Sequence, residues 1–310
     1  MSVLLSITLL SALFVLLGFA TTIVVNNIKK IAETLGVPLF FLGLILGILT
    51  SFPEFSIAIN ASINGVPEVS IGNLFGGIFV VFGLILGLGL ILNRQVKTDG
   101  NIMTLIPGFV LLLTPLILGS DGVLNVLDGI FICLGYVGIL THTYLKNKQK
   151  YYFKISVVQK NSLIKEIIFV ISGTLVVLVA SHLIMQITVK LLENFAVSGF
   201  IIGLIIFSLG TNLPELMVII ASWQKKIKEL SFSHMLGSAL VNAAILGMMA
   251  VASPLTITVD PSYILICYFL IIMLTMLLYF YRSGKKLSRP EGVVLVLLFA
   301  LFGYLQTVVQ

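Results

Sequence analysis

Two short stretches decide how this sequence folds: Leu49-Thr50-Ser51-Phe52-Pro53-Glu54 and, 161 residues further on, Gly210-Thr211-Asn212-Leu213-Pro214-Glu215. Each lies within a long apolar run. A charge at the centre of a bilayer costs on the order of 2.5–3.5 kcal/mol on insertion scales, so an acid there is a functional signal. Proline has no N–H, so the carbonyl four residues earlier loses its helical partner, which is Leu49 for Pro53 and Gly210 for Pro214. Each stretch therefore offers a carboxylate, a hydroxyl and freed backbone carbonyls within about one helical turn.

The surrounding composition sets the solvent. Of 310 residues, 59% are hydrophobic and 10% charged, with mean hydropathy +1.17. Soluble domains carry roughly 25% charged residues, which excludes a water-facing globule. Cys133 and Cys267 sit alone in separate apolar runs, giving neither a disulfide framework nor a metal cluster. No basic segment precedes the first apolar run, so it reads as a retained helix and not a cleaved signal.

A spanning helix needs about 20 apolar residues, and ten such segments are expected: 3–26, 38–63, 69–92, 101–119, 123–145, 164–189, 197–223, 231–253, 261–281 and 290–309. The links after the odd-numbered segments hold seventeen of the eighteen Lys and Arg residues, and the opposite side holds only Lys190. This bias predicts a multi-pass cell-membrane protein with both termini outside. It also explains the net charge of +6 as topology, with no nucleic-acid partner.

The 161-residue offset recurs between Gly76 and Gly237, and Leu127-Asp128-Gly129 corresponds to Pro290-Glu291-Gly292 at offset 163. The expected organisation is a first five-helix repeat (1–145), a cytoplasmic linker (146–163) and a second five-helix repeat (164–310). Five is odd, so the halves enter the membrane in opposite senses. The fold class is an all-α membrane protein of about ten helices in two inverted repeats, an architecture that places transporter sites at mid-membrane where broken helices meet.

Carboxylate, hydroxyl and carbonyl oxygens suit hard cations such as Ca²⁺. The absence of a thiolate or histidine cluster argues against zinc or copper. In the second half, Ser238 and Asn242 stand one turn apart and add a hydroxyl and an amide on one face. The first-half equivalents, Gly77 and Val81, bring no side-chain oxygen. A proline kink with a buried, protonated glutamate is the structural alternative for either stretch alone. Two in symmetry-equivalent places favour a shared site. His142, His182 and His234 read as interfacial or packing residues.

At these residues the sequence resembles the sodium/calcium exchanger family of the cation/Ca²⁺ exchanger superfamily, in its short prokaryotic form. The resemblance covers nearly the whole chain. It implies that Thr50, Glu54, Thr211 and Glu215 bind Ca²⁺ and Na⁺ alternately, that Ser51 and Asn212 help bind sodium, and that Ser238 and Asn242 belong to the same site. The departures are Leu49 for a usual glycine, Asn212 for a usual serine, Asn242 where an acid is common, and Gly77 and Val81 for an expected hydroxyl and amide. The G-N-x-x-E signature of proton/calcium exchangers is absent.

With both glutamates ionised the empty site carries a charge of about −2, costly to rearrange in a low-dielectric core. One Ca²⁺ or two monovalent cations neutralise it, so loaded forms move and the empty form does not. The expected activity is secondary antiport of Ca²⁺ against Na⁺, with the ions as substrates, no cofactor, no enzymatic chemistry and no partner beyond the lipid bilayer. A proton-coupled divalent-cation exchanger and a non-transporting membrane protein with degenerate ion sites are the alternatives.

Overall fold

A chain in hydrocarbon must satisfy its backbone internally, so helices carry nearly all of this fold. The computed structural model describes residues 3–34, 48, 50–93, 95–98, 100–147, 160–192, 198–213, 215–216 and 228–309. Leu49, Pro214 and most of the expected 146–163 linker lie outside the described residues.

The first half runs α1 (Val3–Thr34), α2 (Phe52–Ile63), α3 (Pro67–Phe79), a π-helical segment (Val80–Ile85), α4 (Leu86–Asn93), β1 (Gln95–Lys97), α5 (Ile106–Leu118), β2 (Val123–Leu124) and α6 (Val126–Asn147). The second runs α7 (Lys160–Leu192), α8 (Gly199–Ile202), a π-helical segment (Gly203–Phe207), α9 (Ser208–Thr211), α10 (Lys228–Ala252), β3 (Leu255–Thr256), α11 (Pro261–Arg282), β4 (Lys286–Ser288) and α12 (Arg289–Val309). Among the described residues, seven helices are long and apolar enough to cross a membrane, and Ile106–Asp121 and Gly199–Thr211 are shorter apolar helices. The expected span 101–119 contracts to the 13 residues of α5, between two 3₁₀ turns, with Pro115 inside it. At 1.5 Å per residue that is about 20 Å against a hydrocarbon core of about 30 Å.

α1 and α7, of 32 and 33 residues, overrun the expected spans and pack along one another. Their contact is close at Gly173, where a Cβ would stand 2.7 Å from Val24 Cγ2 and 3.3 Å from the Ala20 carbonyl oxygen. A polar seam joins α2 to α7. Ser56 and Ser181 share a hydroxyl–hydroxyl bond, and Asn60 Nδ2 donates to Ser56 O at 2.9 Å and to Ser181 Oγ at 3.3 Å.

The interior is built on α3 and α10. Leu74, Phe75, Ile78 and Phe79 of α3 and Ala239, Ala243, Leu246 and Ala250 of α10 are all fully buried. α6 and α12 instead turn Leu127, Phe131 and Leu134, and Leu297 and Leu301, outward. An apolar exterior of this kind is a lipid-facing surface.

Small residues bring the halves together. Gly72 and Gly76 lie four apart on α3, and Gly199 and Gly203 four apart at the starts of α8 and the π-helical segment after it. A Cβ at Gly72 would fall 2.0 Å from Phe200 O, one at Gly203 2.0 Å from Val69 O, and one at Gly76 2.4 Å from Leu204 O. Only glycine permits this backbone-to-backbone approach, the device by which membrane helices pack closest.

The helical expectation omits two strand pairs. β1 pairs antiparallel with β4 (Val96 opposite Leu287), and β2 with β3 (Val123 opposite Thr256, Leu124 opposite Leu255). Each pair joins one strand of the first half to one of the second. The repeat relates the pairs to each other, since β1 and β3 follow the third expected span of their halves and β2 and β4 precede the fifth.

Candidate functional site

The two decisive stretches break their helices in the same way. Ser51, preceding α2, has φ −80°, ψ 10°, and Asn212, following α9, has φ −84°, ψ 9°. Both fall in the sparsely used bridge between helix and strand. Helical bonding resumes beyond each proline position, with Phe55 N–H donating to Ser51 O and Leu216 N–H to Asn212 O, both at 3.1 Å. Gly210 lies flat against the ring of Phe14 from α1, where a Cβ would stand 2.4 Å from Cδ1. Phe14 also meets Phe207 edge to face at 5.4 Å.

All eight residues expected at the site (Thr50, Ser51, Glu54, Thr211, Asn212, Glu215, Ser238 and Asn242) are buried, none more than 1% exposed. They interlock across the halves. Ser238 Oγ donates to Glu215 Oε1 at 2.9 Å, and Ser51 Oγ lies 3.1 Å from Ser238 Oγ. Since the Ser238 proton is committed to the carboxylate, Ser51 is the donor of that pair. Thr50 of the first half lies beside Glu215, and Thr211 of the second beside Glu54. The two glutamates are within electrostatic reach of each other.

Sequence reasoning missed Asn73. It lies on α3, fully buried, and its Oδ1 accepts from Thr211 Oγ1 at 3.1 Å. Gly77 and Val81 bring no oxygen, as expected, but the first half places an amide one turn earlier on the same helix face. A lone asparagine in the third apolar run, at the 161-residue offset from His234, is the signal that could have found it. His234 itself is fully buried with neither ring nitrogen bonded. His182 is exposed and joins the α2–α7 seam, with Nδ1 3.0 Å from Asn60 Oδ1 and Nε2 3.0 Å from Gln186 Nε2.

Buried polar atoms are normally hydrogen-bonded, and each exception needs an explanation. Here most of the exceptions among the described residues belong to the candidate site. Both oxygens of Glu54, Oε2 of Glu215, Oδ1 of Asn212, both terminal atoms of Asn242 and Nδ2 of Asn73 have no protein partner. Most are oxygens, and two of the groups are carboxyls. Among the described residues, no group of three or more His, Cys, Asp or Glu side chains is assembled. The available donors are carboxylate, hydroxyl and amide oxygen, a set that suits a hard cation.

Comparison with known proteins agrees with this architecture. An uncharacterised membrane protein of Methanocaldococcus jannaschii is 26% identical over 287 residues, spanning 92% of both chains. A sodium/calcium exchanger of Methanosarcina acetivorans is 25% identical, covering 90% of this chain and 91% of that one. The solved sodium-calcium exchanger NCX_Mj, soaked with 2.5 mM Na⁺ and 1 mM Sr²⁺, superposes with a TM-score of 0.70 over 97% of this chain and 98% of its own, at 24% identity, which establishes a shared fold. The sequence profile described as sodium/calcium exchanger protein matches residues 5–145 and 165–308, and with nearly every helix of both halves inside that match the chain belongs to the sodium/calcium exchanger family.

Proposed function

We infer that this protein is a secondary antiporter that moves Ca²⁺ one way across the membrane against Na⁺ moving the other, through a single site shared by its two halves. The observation that carries the reading is the set of unpartnered carboxylate oxygens of Glu54 and Glu215, fully buried and brought together from opposite halves. A structure that leaves three carboxylate oxygens without donors in its interior is completed by a cation. Ca²⁺ takes six to eight oxygens, and Thr50, Thr211, Ser51, Ser238, Asn212 and Asn242 supply hydroxyls, amides and broken-helix carbonyls around the pair.

The charge balance enforces exchange. Two ionised glutamates are neutralised by one Ca²⁺ or by two monovalent cations, and either load removes the cost of carrying a bare double negative charge through a low-dielectric core. The empty carrier stays where it is, so net movement requires one ion species to replace the other. The lysine and arginine distribution supports a cell-membrane orientation with both termini outside. A helix pair from each of the repeats 1–145 and 164–310 holds the ions while the remaining long helices slide past them, with 146–163 as the cytoplasmic connection.

Everted vesicles or proteoliposomes test the reading through ⁴⁵Ca²⁺ uptake. An outward sodium gradient drives uptake, and Glu54→Gln abolishes it. Uptake driven by a pH gradient in the absence of sodium would reassign the coupling ion to H⁺. No flux under either gradient, from folded protein, would make this a non-transporting member of the family.

A further inference from the structure

Position 77 is one place where the two halves depart from each other. In the second half its counterpart is Ser238, which donates to Glu215. In the first half it is Gly77, and the space its side chain would occupy is filled from across the molecule. A Cβ built there would stand 2.6 Å from Asn242 Nδ2 and 3.1 Å from Asn212 Nδ2. Both obstacles are side-chain ends, so a larger residue at 77 would displace the two amides and leave the backbone in place.

The amides differ in how they are held. Asn212 Nδ2 donates to Ser208 O at 2.7 Å, and Ser208 Oγ is itself anchored on Leu204 O at 2.5 Å. This fixes the Asn212 amide and leaves its Oδ1 buried and without a partner. Neither end of the Asn242 amide is bonded, so nothing prevents its oxygen from turning toward a cation. Two buried neutral carbonyl oxygens, one three residues before Glu215 and the other one turn beyond Ser238, thus remain without partners and add no charge.

We propose that Gly77 and Asn212 are an exchanged pair: volume surrendered at 77 by the first half admits the Asn212 and Asn242 amides of the second, whose oxygens form a neutral subsite for Na⁺ beside the two glutamates. The inference rests on the antiport reading and specifies which residues set its sodium affinity. Side-chain amide oxygens coordinate hard cations without adding charge, which suits a monovalent ion, whereas the divalent ion draws chiefly on the carboxylates. The sodium and calcium affinities are therefore set by different residues within one cavity.

The test is a double-mutant cycle in proteoliposomes, reading the sodium and calcium concentrations that half-saturate ⁴⁵Ca²⁺ exchange. Gly77→Ser, which pushes the amides aside, and Asn212→Ser, which removes one, each raise the sodium value about fivefold, the loss of roughly one buried polar interaction. The calcium value rises less than the sodium value in both. Gly77→Ser/Asn212→Ser restores the sodium value to within about twofold of the parent, because the hydroxyls refill what the amide vacates and neighbours in contact are non-additive. Single-variant effects that simply multiply in the double variant overturn the exchanged pair, as does an equal rise in both half-saturation values. Parent protein with no sodium-driven flux overturns the antiport reading itself, and the two failures are distinct.

Discussion

Thr211 and Asn73 come from opposite halves and meet at 3.1 Å, the threonine hydroxyl donating to the amide oxygen, both fully buried. The bond fixes which way the Thr211 hydroxyl points beside Glu54, and it ties α9 to α3. Asn73→Leu keeps similar bulk but leaves that hydroxyl without its acceptor. A loss of about 1–3 kcal/mol is expected for an unsatisfied buried group, seen as a lower melting temperature of the purified protein and weaker calcium-dependent stabilisation. Unchanged melting with and without Ca²⁺ would remove Asn73 from the site.

Ser51 and Ser238 form a relay that ends on a charge, so their removal should not cost the same. Ser238→Ala removes the Ser238 donor from Glu215 Oε1 and the Ser51–Ser238 bond at once. Bonds to charged groups are worth roughly 1.5–3 kcal/mol and neutral ones about 1. The expected result is about tenfold or more on calcium half-saturation for Ser238→Ala, and a clearly smaller change for Ser51→Ala. The reverse order would mean that the relay does not end on Glu215.

The glycines separate into those that hold the halves together and those that merely occur. Gly72→Ala and Gly203→Ala each drive a methyl to 2.0 Å from a carbonyl oxygen and should prevent monodisperse protein from being recovered by size-exclusion chromatography. Gly138, with nothing within 4 Å of the same methyl, is the control. Gly138→Ala should be neutral or stabilise by up to about 1 kcal/mol, the usual helix-interior difference.

The β2–β3 pair joins elements that need not separate during transport. A double variant, Val123→Cys with Thr256→Cys, places thiols on directly paired residues. Oxidation to the disulfide should leave sodium-driven calcium uptake within about twofold of the reduced protein, since the bridge only reinforces an existing cross-strand pair. Abolition on oxidation, with recovery on reduction, would place the moving boundary between these two strands.

Much of this was legible in the amino-acid sequence because hydrocarbon leaves few options. Glu54 and Glu215 stand out in an apolar chain, Pro53 and Pro214 announce broken helices, the one-sided distribution of Lys and Arg reports the topology, and the 161-residue offset reports the halves. The φ and ψ angles at Ser51 and Asn212 agree with the break expected from the prolines. Asn73 escaped notice because a single amide in an apolar run is ordinary, and only its meeting with Thr211 gives it meaning. The filling of the Gly77 space depends on side chains from helices far apart in sequence, which no local pattern encodes. Strands of two or three residues carry no periodicity, so β1 to β4 left no trace. The shortness of α5 reflects Pro115 and its flanking 3₁₀ turns.

Those strands bear on how the protein is made. β1 and β2 both belong to the first half, yet their partners, β4 and β3, are translated only after α7 and α10 have been inserted. During synthesis the first five helices therefore sit in the membrane with two unpaired strand edges, the kind of surface that invites wrong partners. The order of emergence fixes the order of closure: β3 arrives first and seals β2, and β4 then seals β1, joining the halves at the opposite end. A chain truncated after the first half would carry both open edges permanently, so each half is a repeat in structure without being an independent unit of biogenesis.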